Sequence, residues 1–139
     1  MEEMLLAIII IGRNEESNLP EVFDSVKKAA RNLNTEFGEL PEILYIDSRS
    51  TDASIRIAHE SGIQSYVVEG DLSPGISRNL GALKSTSKYI FFLDGDTVLT
   101  EDFLVHGSNF SFELQLIVNT SFKFRSCWSE LPFLFAQKT

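Results

Sequence analysis

The sequence predicts a three-layer α/β fold with a mainly parallel central sheet flanked by helices. Two observations support this: continuous apolar runs recur through the first hundred residues, and segments with helical spacing separate them. Strands that are buried on both faces form continuous apolar runs, because helices cover both sides of a parallel sheet. The alternation of apolar runs with helical segments indicates one α/β unit. A chain of 139 residues is long enough to bury a single core. The apolar runs are Leu5–Ile11, Ile43–Ile46, Tyr66–Val68 and Tyr89–Leu93.

The first predicted helix follows the first apolar run. Asn18 is placed to cap this helix, Pro20 suits its first turn, and Glu21 stands at the capping-box position. Six apolar residues then fall on one face, as a helix that packs on a sheet requires. These residues are Val22, Phe23, Val26, Ala29, Ala30 and Leu33.

Two further helices are predicted between the later strands. The second begins at Ser50 or Thr51 and ends at Gly62, a residue type suited to the left-handed conformation that closes many helices. The third runs from Ile76 to about Ser85. The residues that the second helix is expected to bury are Ile55, Ile57 and Ala58.

The pattern changes after Thr100. Thr100 is followed by two acidic residues, which is typical of a helix start. Between Phe110 and Val118, apolar and polar residues mostly alternate, as in a half-buried strand. We therefore separate residues 1–105 from an atypical C-terminal segment, residues 106–139, which is expected to form strands or to be partly disordered.

The composition excludes some classes of partner. Twelve basic and twenty acidic residues give a net charge of -8, which disfavours nucleic acids because their affinity comes largely from Lys and Arg. A phosphorylated ligand would need help from a cation.

The N-terminal run and the cysteine count bear on location. Met4–Ile11 is far shorter than the about 20 residues of a membrane span, and acidic residues precede it where a signal peptide is positive. One cysteine, Cys127, excludes an intrachain disulfide. We expect a cytoplasmic protein without a transmembrane segment, peripheral to the membrane at most.

Polar residues follow three of the predicted strands where each strand ends. Residues 12–15 follow the first strand, Asp47 follows the second, and Asp94 and Asp96 follow the last. Open α/β sheets bind ligands beyond the carboxyl ends of their strands. These residues therefore predict a binding site at one edge of the sheet.

Asp94 and Asp96 are the candidate metal ligands. Two carboxylates bent around Gly95 can turn toward one point, where they would repel each other unless a cation lay between them. Mg²⁺ and Mn²⁺ bind through one or two carboxylates and keep waters and phosphate oxygens as their other ligands. A divalent cation here would link this acidic protein to a diphosphate. The alternative is a plain polar turn.

Asp47 and Arg78 complete the predicted site. Asp52 lies in the first turn of the predicted second helix, which leaves Asp47 free to accept a hydrogen bond from a nucleobase ring nitrogen. Uracil and guanine both fit that role. Arg78 follows Ser73-Pro74-Gly75 and is the candidate bidentate partner of a diphosphate.

Four stretches of the chain form a recognisable series: IIIIGRNE at Ile8–Glu15, YIDSRSTD at Tyr45–Asp52, GISRNLG at Gly75–Gly81 and YIFFLDGDTVL at Tyr89–Leu99. In this order, the stretches resemble glycosyltransferase family 2, whose members have the Rossmann-like GT-A fold. The resemblance covers roughly residues 5–105, which match the nucleotide-sugar-binding half of that family.

The resemblance implies a nucleotide-diphosphate sugar donor, with a UDP-sugar favoured, and a Mn²⁺ or Mg²⁺ cofactor. It also implies sugar transfer, with inversion, to an acceptor that is a saccharide or a lipid. Arg78 would lie near the diphosphate, Asp94 near the ribose and the metal, and Asp96 would ligate the metal. The residues that would hold the base and ribose are Ile11, Arg13, Asn14, Glu15 and Asp47.

The chain departs from the family pattern in its second half. The acceptor-binding half and the catalytic base of the family come a hundred or more residues after the acidic pair, and only 43 residues follow Asp96. We identify no general base in this chain. Ser48 also stands where the family often has a second aspartate. The chain thus looks truncated, and an uncovered sheet edge would favour self-association.

Two other functions remain open on the sequence. One is a non-catalytic remnant that binds sugar nucleotides without transferring the sugar. The other is a phosphatase of the haloacid dehalogenase type, whose first motif is also similar to Phe91–Leu99. That motif should open its fold, whereas here it follows three strand–helix units.

Overall fold

A computed structural model describes residues 6–106 and the backbone of a short strand near the C-terminus. The described part contains five strands, three helices and one further helical turn at residues 103–106. The strands are β1 (Leu6–Gly12), β2 (Glu42–Asp47), β3 (Gln64–Val67), β4 (Tyr89–Asp94) and β5 (Phe135–Gln137). The helices are α1 (Leu19–Phe37), α2 (Ser54–Glu60) and α3 (Pro74–Lys84).

The strands form one sheet in the order β3-β2-β1-β4-β5. The first four strands are parallel, and β5 runs antiparallel to β4. Strand β1 is central because it pairs with both β2 and β4. The α/β class and the mainly parallel sheet are therefore confirmed.

The core has one layer on each face of the sheet. Successive residues of β1 alternate between the layers, so Ile8 and Ile10 face α1 and α2, while Ile9 and Ile11 face α3. Phe23 of α1 belongs to the first layer. Since helices cover both faces, the predicted three-layer arrangement is confirmed.

The start of α1 differs from the prediction. All six predicted apolar residues are buried, but the side chain of Asn18 makes no capping hydrogen bond. Its backbone has right-handed helical angles rather than the extended angles of a capping residue. Its amide Nδ2 instead donates to Oε2 of Glu15 at 2.6 Å. The predicted capping box at Glu21 is wrong for this reason.

Helix α2 begins at Ser54, later than predicted, because the polar groups before it bond to neighbouring loops. Of its predicted buried residues, Ala58 is buried and Ile55 and Ile57 are half-buried. The helix ends at Glu60, and Gly62 has the expected left-handed conformation with φ 71°.

Helix α3 begins at Pro74, two residues before the predicted start. The hydroxyl of Ser73 caps it by accepting a hydrogen bond from the N–H of Ile76 at 3.1 Å. Strand β3 is shifted toward the N-terminus and ends at Val67.

The chain after β4 is described only in part. Residues 103–106 are helical, and the N–H of Phe103 donates to the carbonyl of Thr100. The alternating pattern predicted between Phe110 and Val118, and Cys127, lie outside the described residues. Within the described part, no helix combines the length and the apolar character needed to cross a membrane. The division of the chain at residues 105 and 106 stays a prediction.

We expect Gly81→Ala to lower the free energy of unfolding by about 1–3 kcal/mol, the usual cost of overpacking a core. A Cβ on Gly81 would lie 2.5 Å from Cγ2 of Ile9, which is fully buried under α3. Urea unfolding of both proteins measures the loss.

The matched control is Gly75→Ala on the same helix. A Cβ there would have its nearest neighbour, Oγ of Ser73, at 3.8 Å. We expect no loss of stability, because alanine favours helix over glycine by about 1 kcal/mol. Equal stability of the two variants would contradict the close packing of α3.

Candidate functional site

The carboxyl ends of three parallel strands meet at one edge of the sheet. Strand pairing places Asp47 of β2 beside Gly12, and Asp94 of β4 beside Ile11. The two aspartates therefore flank the end of β1 from opposite sides. The sequence predicts this common edge, and the strand register confirms it.

An open cleft of about 550 Å³ lies at this edge, and we call it the edge cleft. It is formed by the ends of β1 and β4, the loops that follow β2 and β3, and the first turns of α3. Its lining residues are Ile11, Gly12, Arg13, Glu15, Ser48, Leu72, Ser73, Pro74, Ser77, Arg78, Asp94, Gly95 and Asp96.

A tight turn presents the two carboxylates of Asp94 and Asp96 to the cleft. The N–H of Thr97 donates to the carbonyl of Asp94 at 3.0 Å, and the N–H of Gly95 donates to the carbonyl of Ile11 at 2.8 Å. A Cβ on Gly95 would lie 3.2 Å from that carbonyl oxygen, so the turn needs glycine for space. Both aspartates are exposed. Their oxygens are thus accessible to a ligand.

Arg78 approaches the cleft from the second turn of α3. Its guanidinium lies 3.6 Å from Oδ1 of Asp94, and the two side chains are 32% and 65% exposed. An ion pair this exposed contributes little stability, typically 0–1 kcal/mol. Arg78 can therefore exchange Asp94 for an anionic ligand at low cost.

Asp47 does not have the free carboxylate that the sequence predicts. Its side chain is fully buried, and it does not line the edge cleft. Oδ1 accepts hydrogen bonds from the hydroxyls of Tyr45 at 2.8 Å and Ser50 at 2.6 Å, and Oδ2 accepts one from the Ser50 N–H at 2.7 Å. The expectation fails because a buried carboxylate requires donors, and neighbouring side chains supply them.

Tyr45 is a site residue that sequence reasoning missed. The available signal is its spacing, since a residue two positions before Asp47 on a strand shares its face. Burial, and then the adjacent Asp47 carboxylate, raise the pKa of the Tyr45 hydroxyl far above its ordinary value of 10.0. The hydroxyl therefore stays protonated and donates to Asp47 throughout the physiological pH range.

Asn14 joins two loops instead of lining the cleft. Its N–H donates to the hydroxyl of Ser50 at 2.8 Å, and its Oδ1 accepts from the N–H of Thr51 at 2.8 Å. Its backbone is left-handed, with φ 55°, which is uncommon for a residue other than glycine. The β1–α1 loop (residues 13–18) and the β2–α2 loop (residues 48–53) are therefore joined into one hydrogen-bonded unit.

Arg49 and Ser48 attach this unit to the far side of the cleft. Arg49, also left-handed with φ 53°, donates from its guanidinium to the carbonyl of Gly70 at 2.7 Å. The hydroxyls of Ser48 and Ser77 are 2.8 Å apart and hydrogen-bonded. The β2–α2 loop is thus attached both to α3 and to the loop that precedes it.

The donor groups of the edge cleft fit one particular kind of metal binding. No cluster of three or more His, Cys, Asp or Glu side chains suited to a metal exists among the residues that the structure describes. Asp94 and Asp96 supply two carboxylates at most, which suits Mg²⁺ or Mn²⁺ held together with phosphate oxygens and water. They do not form a site that closes around a metal alone.

Comparisons with known proteins agree on one family. The model of the family "Glycosyl transferase family 2" matches residues 7–106. An "Uncharacterized glycosyltransferase" from Haemophilus influenzae is 27% identical over 124 residues, which is 85% of this chain and 46% of that protein. The chain thus spans about half the length of that curated relative.

Two solved structures have a similar fold. The crystal structure of S. aureus TarS 1-349 matches with a TM-score of 0.67 and 20% identity, covering 91% of this chain and 40% of that one. Glucosyl-3-phosphoglycerate synthase from Mycobacterium tuberculosis, in complex with Mn²⁺, UDP and glucosyl-3-phosphoglycerate, has a TM-score of 0.60 and 20% identity. There the match covers 73% of this chain and 37% of that one.

Asp52, in the β2–α2 loop beside the cleft, should make the free energy of unfolding depend on pH in the acid range. Burial acts to raise the pKa of this carboxyl, but hydrogen bonds from Ser54 and from the N–H of Glu16 outweigh it and lower the pKa below 3.8. The stabilisation is therefore complete above the unfolded-state pKa and is lost as the pH falls through the folded-state pKa.

We expect Asp52→Asn to lower the melting temperature at neutral pH, with a difference that shrinks as the pH falls below about 4. Thermal unfolding across an acid pH series checks this. Glu36→Gln, at an exposed position of α1, controls for the loss of one charge. A difference for Asp52→Asn that is as large in strong acid as at neutral pH would contradict the prediction.

Proposed function

Because the chain belongs to glycosyltransferase family 2, we propose that its edge cleft binds a nucleotide-diphosphate sugar. The observation that carries the proposal is the meeting of Arg78, Asp94 and Asp96 at one exposed cleft beyond the ends of β1 and β4. A cation-assisted pair of carboxylates and an arginine are complementary to a diphosphate. A UDP-sugar is favoured, and the Mn²⁺ and UDP of the mycobacterial synthase structure support that choice.

We assign the diphosphate to the acidic turn and α3. Asp96, with Asp94, would hold Mn²⁺ or Mg²⁺, and Arg78 would leave Asp94 to bind a phosphate oxygen. A bound divalent cation supplies charge stabilisation to the diphosphate as it departs. The protein contributes one carboxylate from the last residue of β4, one from the turn that follows it, and a guanidinium from the second turn of α3.

The base and ribose are assigned to the end of β1 and the loop that follows it, beside the acidic turn. Ile11, Arg13 and Glu15 line the cleft there and would contact them directly. Asn14 and Asp47 are assigned the role of holding the two loops in place, because their side-chain oxygens already accept hydrogen bonds from residues of the β2–α2 loop. This is the main change from the roles that the family resemblance implies.

Sugar transfer is proposed as the reaction of the whole protein. A hydroxyl of a saccharide or lipid acceptor would attack the anomeric carbon from the side opposite the diphosphate. A new carbon–oxygen bond would form as the bond to the diphosphate breaks, with inversion. A general base must take the hydroxyl proton, and we assign none among residues 6–106.

The alternative is a domain that binds the donor without transferring the sugar. Transfer to an acceptor, or hydrolysis of a UDP-sugar, distinguishes an enzyme from such a domain. The family match over residues 7–106 favours a glycosyltransferase over the phosphatase. Hydrolysis of phosphomonoesters that is lost in Asp94→Asn would reverse that choice. A cytoplasmic location stays a prediction from the sequence.

We expect Asp96→Ala to abolish Mn²⁺-dependent binding of UDP with little change in melting temperature. Asp96 is exposed, and its only hydrogen bond that the structure shows is a long one, 3.4 Å, from the hydroxyl of Thr97. Calorimetric titration of UDP with and without Mn²⁺ provides the measurement. Glu36→Ala removes the same charge from an exposed helix position and should bind as the parent does. Retained affinity in Asp96→Ala would refute the metal assignment.

Self-association is proposed through the β3 edge of the sheet. Strand β3 is one of the two edge strands of the described sheet, and an apolar groove of about 530 Å³ lies between it and α3. Leu83 lines this groove and is 78% exposed. Glu69 and Lys84 also line it, so a second copy related by a two-fold axis could place each lysine beside a glutamate.

We therefore expect the sedimentation coefficient to rise with protein concentration, and Leu83→Lys to abolish that rise. The reason is that a charge in the groove opposes the burial of apolar surface. Leu40→Lys is the control, since Leu40 is 56% exposed and lies outside the groove. A parent that remains monomeric at high concentration would exclude this interface.

A further inference from the structure

We infer that Tyr45 is a positioning residue of the nucleotide site. Its buried hydroxyl holds Asp47, and through Asp47 and Ser50 it fixes Asn14 and the loop that presents Arg13 to the edge cleft. The inference rests on the proposed function, because it assigns the edge cleft to a nucleotide. Tyr45 would never contact that nucleotide.

A continuous path of hydrogen bonds connects Tyr45 to the loop. The hydroxyls of Tyr45 and Ser50 both donate to Oδ1 of Asp47, at 2.8 Å and 2.6 Å. The Ser50 hydroxyl has a single proton, which it donates to Asp47. The hydroxyl oxygen then points a lone pair at the N–H of Asn14, 2.8 Å away. Each bond in the path fixes the direction of the next one.

The surroundings of Tyr45 exclude a direct role in binding. The residue is fully buried, and its ring packs edge-on against Phe23 with centroids 5.6 Å apart. Its hydroxyl lies beneath the end of β1, where a Cβ on Gly12 would be only 3.4 Å from it. Gly12 thus lies between Tyr45 and the cleft, and Tyr45 acts through the polar groups around its hydroxyl, with Asp47 as its hydrogen-bond acceptor.

Asn14 is the residue on which this positioning has its effect. Left-handed backbone in a residue other than glycine persists only when its surroundings hold it. Ser50 holds the N–H of Asn14, and Thr51 holds its side-chain oxygen. Loosening Ser50 would let Asn14 relax toward common backbone angles and would turn its neighbour Arg13 away from the cleft.

Removal of a single oxygen atom tests the inference. We expect Tyr45→Phe to weaken Mn²⁺-dependent binding of UDP about tenfold, which corresponds to about 1.4 kcal/mol. The control is Ser25→Ala. Ser25 is also a buried hydroxyl, which donates to the carbonyl of Val22 and accepts from the N–H of Leu99, outside the cleft. Calorimetry is performed at a temperature where circular dichroism shows both variants to be folded, and Ser25→Ala should bind UDP as the parent does.

Amide hydrogen exchange supplies a second measurement that needs no nucleotide. In Tyr45→Phe the amides of Asn14 and Ser50 should exchange faster than in the parent, while those of α1 do not. In Ser25→Ala these two amides should keep their protection. If Tyr45→Phe does not fold, Ser50→Ala removes the next hydroxyl in the path, at a half-buried loop position, and should have the same two effects.

The outcomes separate the two proposals. If the parent binds no UDP, the proposed function fails and so does the nucleotide role of Tyr45. Faster exchange of the Asn14 and Ser50 amides in Tyr45→Phe alone would still show that Tyr45 holds the loop in place. If the parent binds UDP and Tyr45→Phe binds it equally well, only the inference about Tyr45 is overturned. Exchange that accelerates equally in Tyr45→Phe and Ser25→Ala would show that Tyr45 has a purely structural role.

Discussion

The pairing of β1 with both β2 and β4, all in parallel, is the constraint on which the site depends. Parallel pairing brings the carboxyl ends of the three strands to one edge, where Asp47 lies beside Gly12 and Asp94 lies beside Ile11. The neighbouring strands are about 4.8 Å apart. Loops that start so close together can share hydrogen bonds, and the loops of this protein do. Reversing a single strand would remove its carboxyl end from the site.

The carboxylates at this edge have opposite environments. Asp47 is buried and held by three hydrogen bonds, whereas Asp94 and Asp96 are exposed and lie on a turn that leaves their oxygens accessible. Burying a charge is costly unless donors surround it, so Asp47 is suited to organising its surroundings. Exposed carboxylates keep the freedom to bind an exchangeable ligand. Together they give the cleft a rigid wall and an accessible acidic turn.

Much of this could be predicted from the sequence because hydrophobic patterning and strand ends are local signals. The apolar runs located β1, β2 and β4, and the face of α1 was correct residue by residue. The rule that ligands bind at the carboxyl edge of a parallel sheet predicts that Asp47 and Asp94 lie near each other. The same rule predicts Asp96 at this edge, whereas Arg78 is predicted from its position after Ser73-Pro74-Gly75, and both residues line the cleft.

The errors have a common physical origin, because they concern polar side chains whose partners are distant in sequence. The start of α2 was placed too early because residues of its loop bond to Asn14, 37 positions away. The sequence suggests a free carboxylate at Asp47 because Tyr45, whose hydroxyl donates to it, fits the apolar pattern of the strand. Sequence patterns show which residues are polar. They do not show which polar groups satisfy each other.

The contact between Gly81 and Ile9 has a consequence for ligand size. Arg78 and Gly81 are three residues apart, on neighbouring positions of one face of α3. The absence of a side chain at Gly81 lets the helix axis approach the sheet, and the same approach determines how far the guanidinium projects over the strand ends. The position of Arg78 at the edge cleft is therefore set partly in the hydrophobic interior, about one helical turn away. Fitting a bulkier molecule into the cleft would require repacking beneath the helix as well as new residues along the rim.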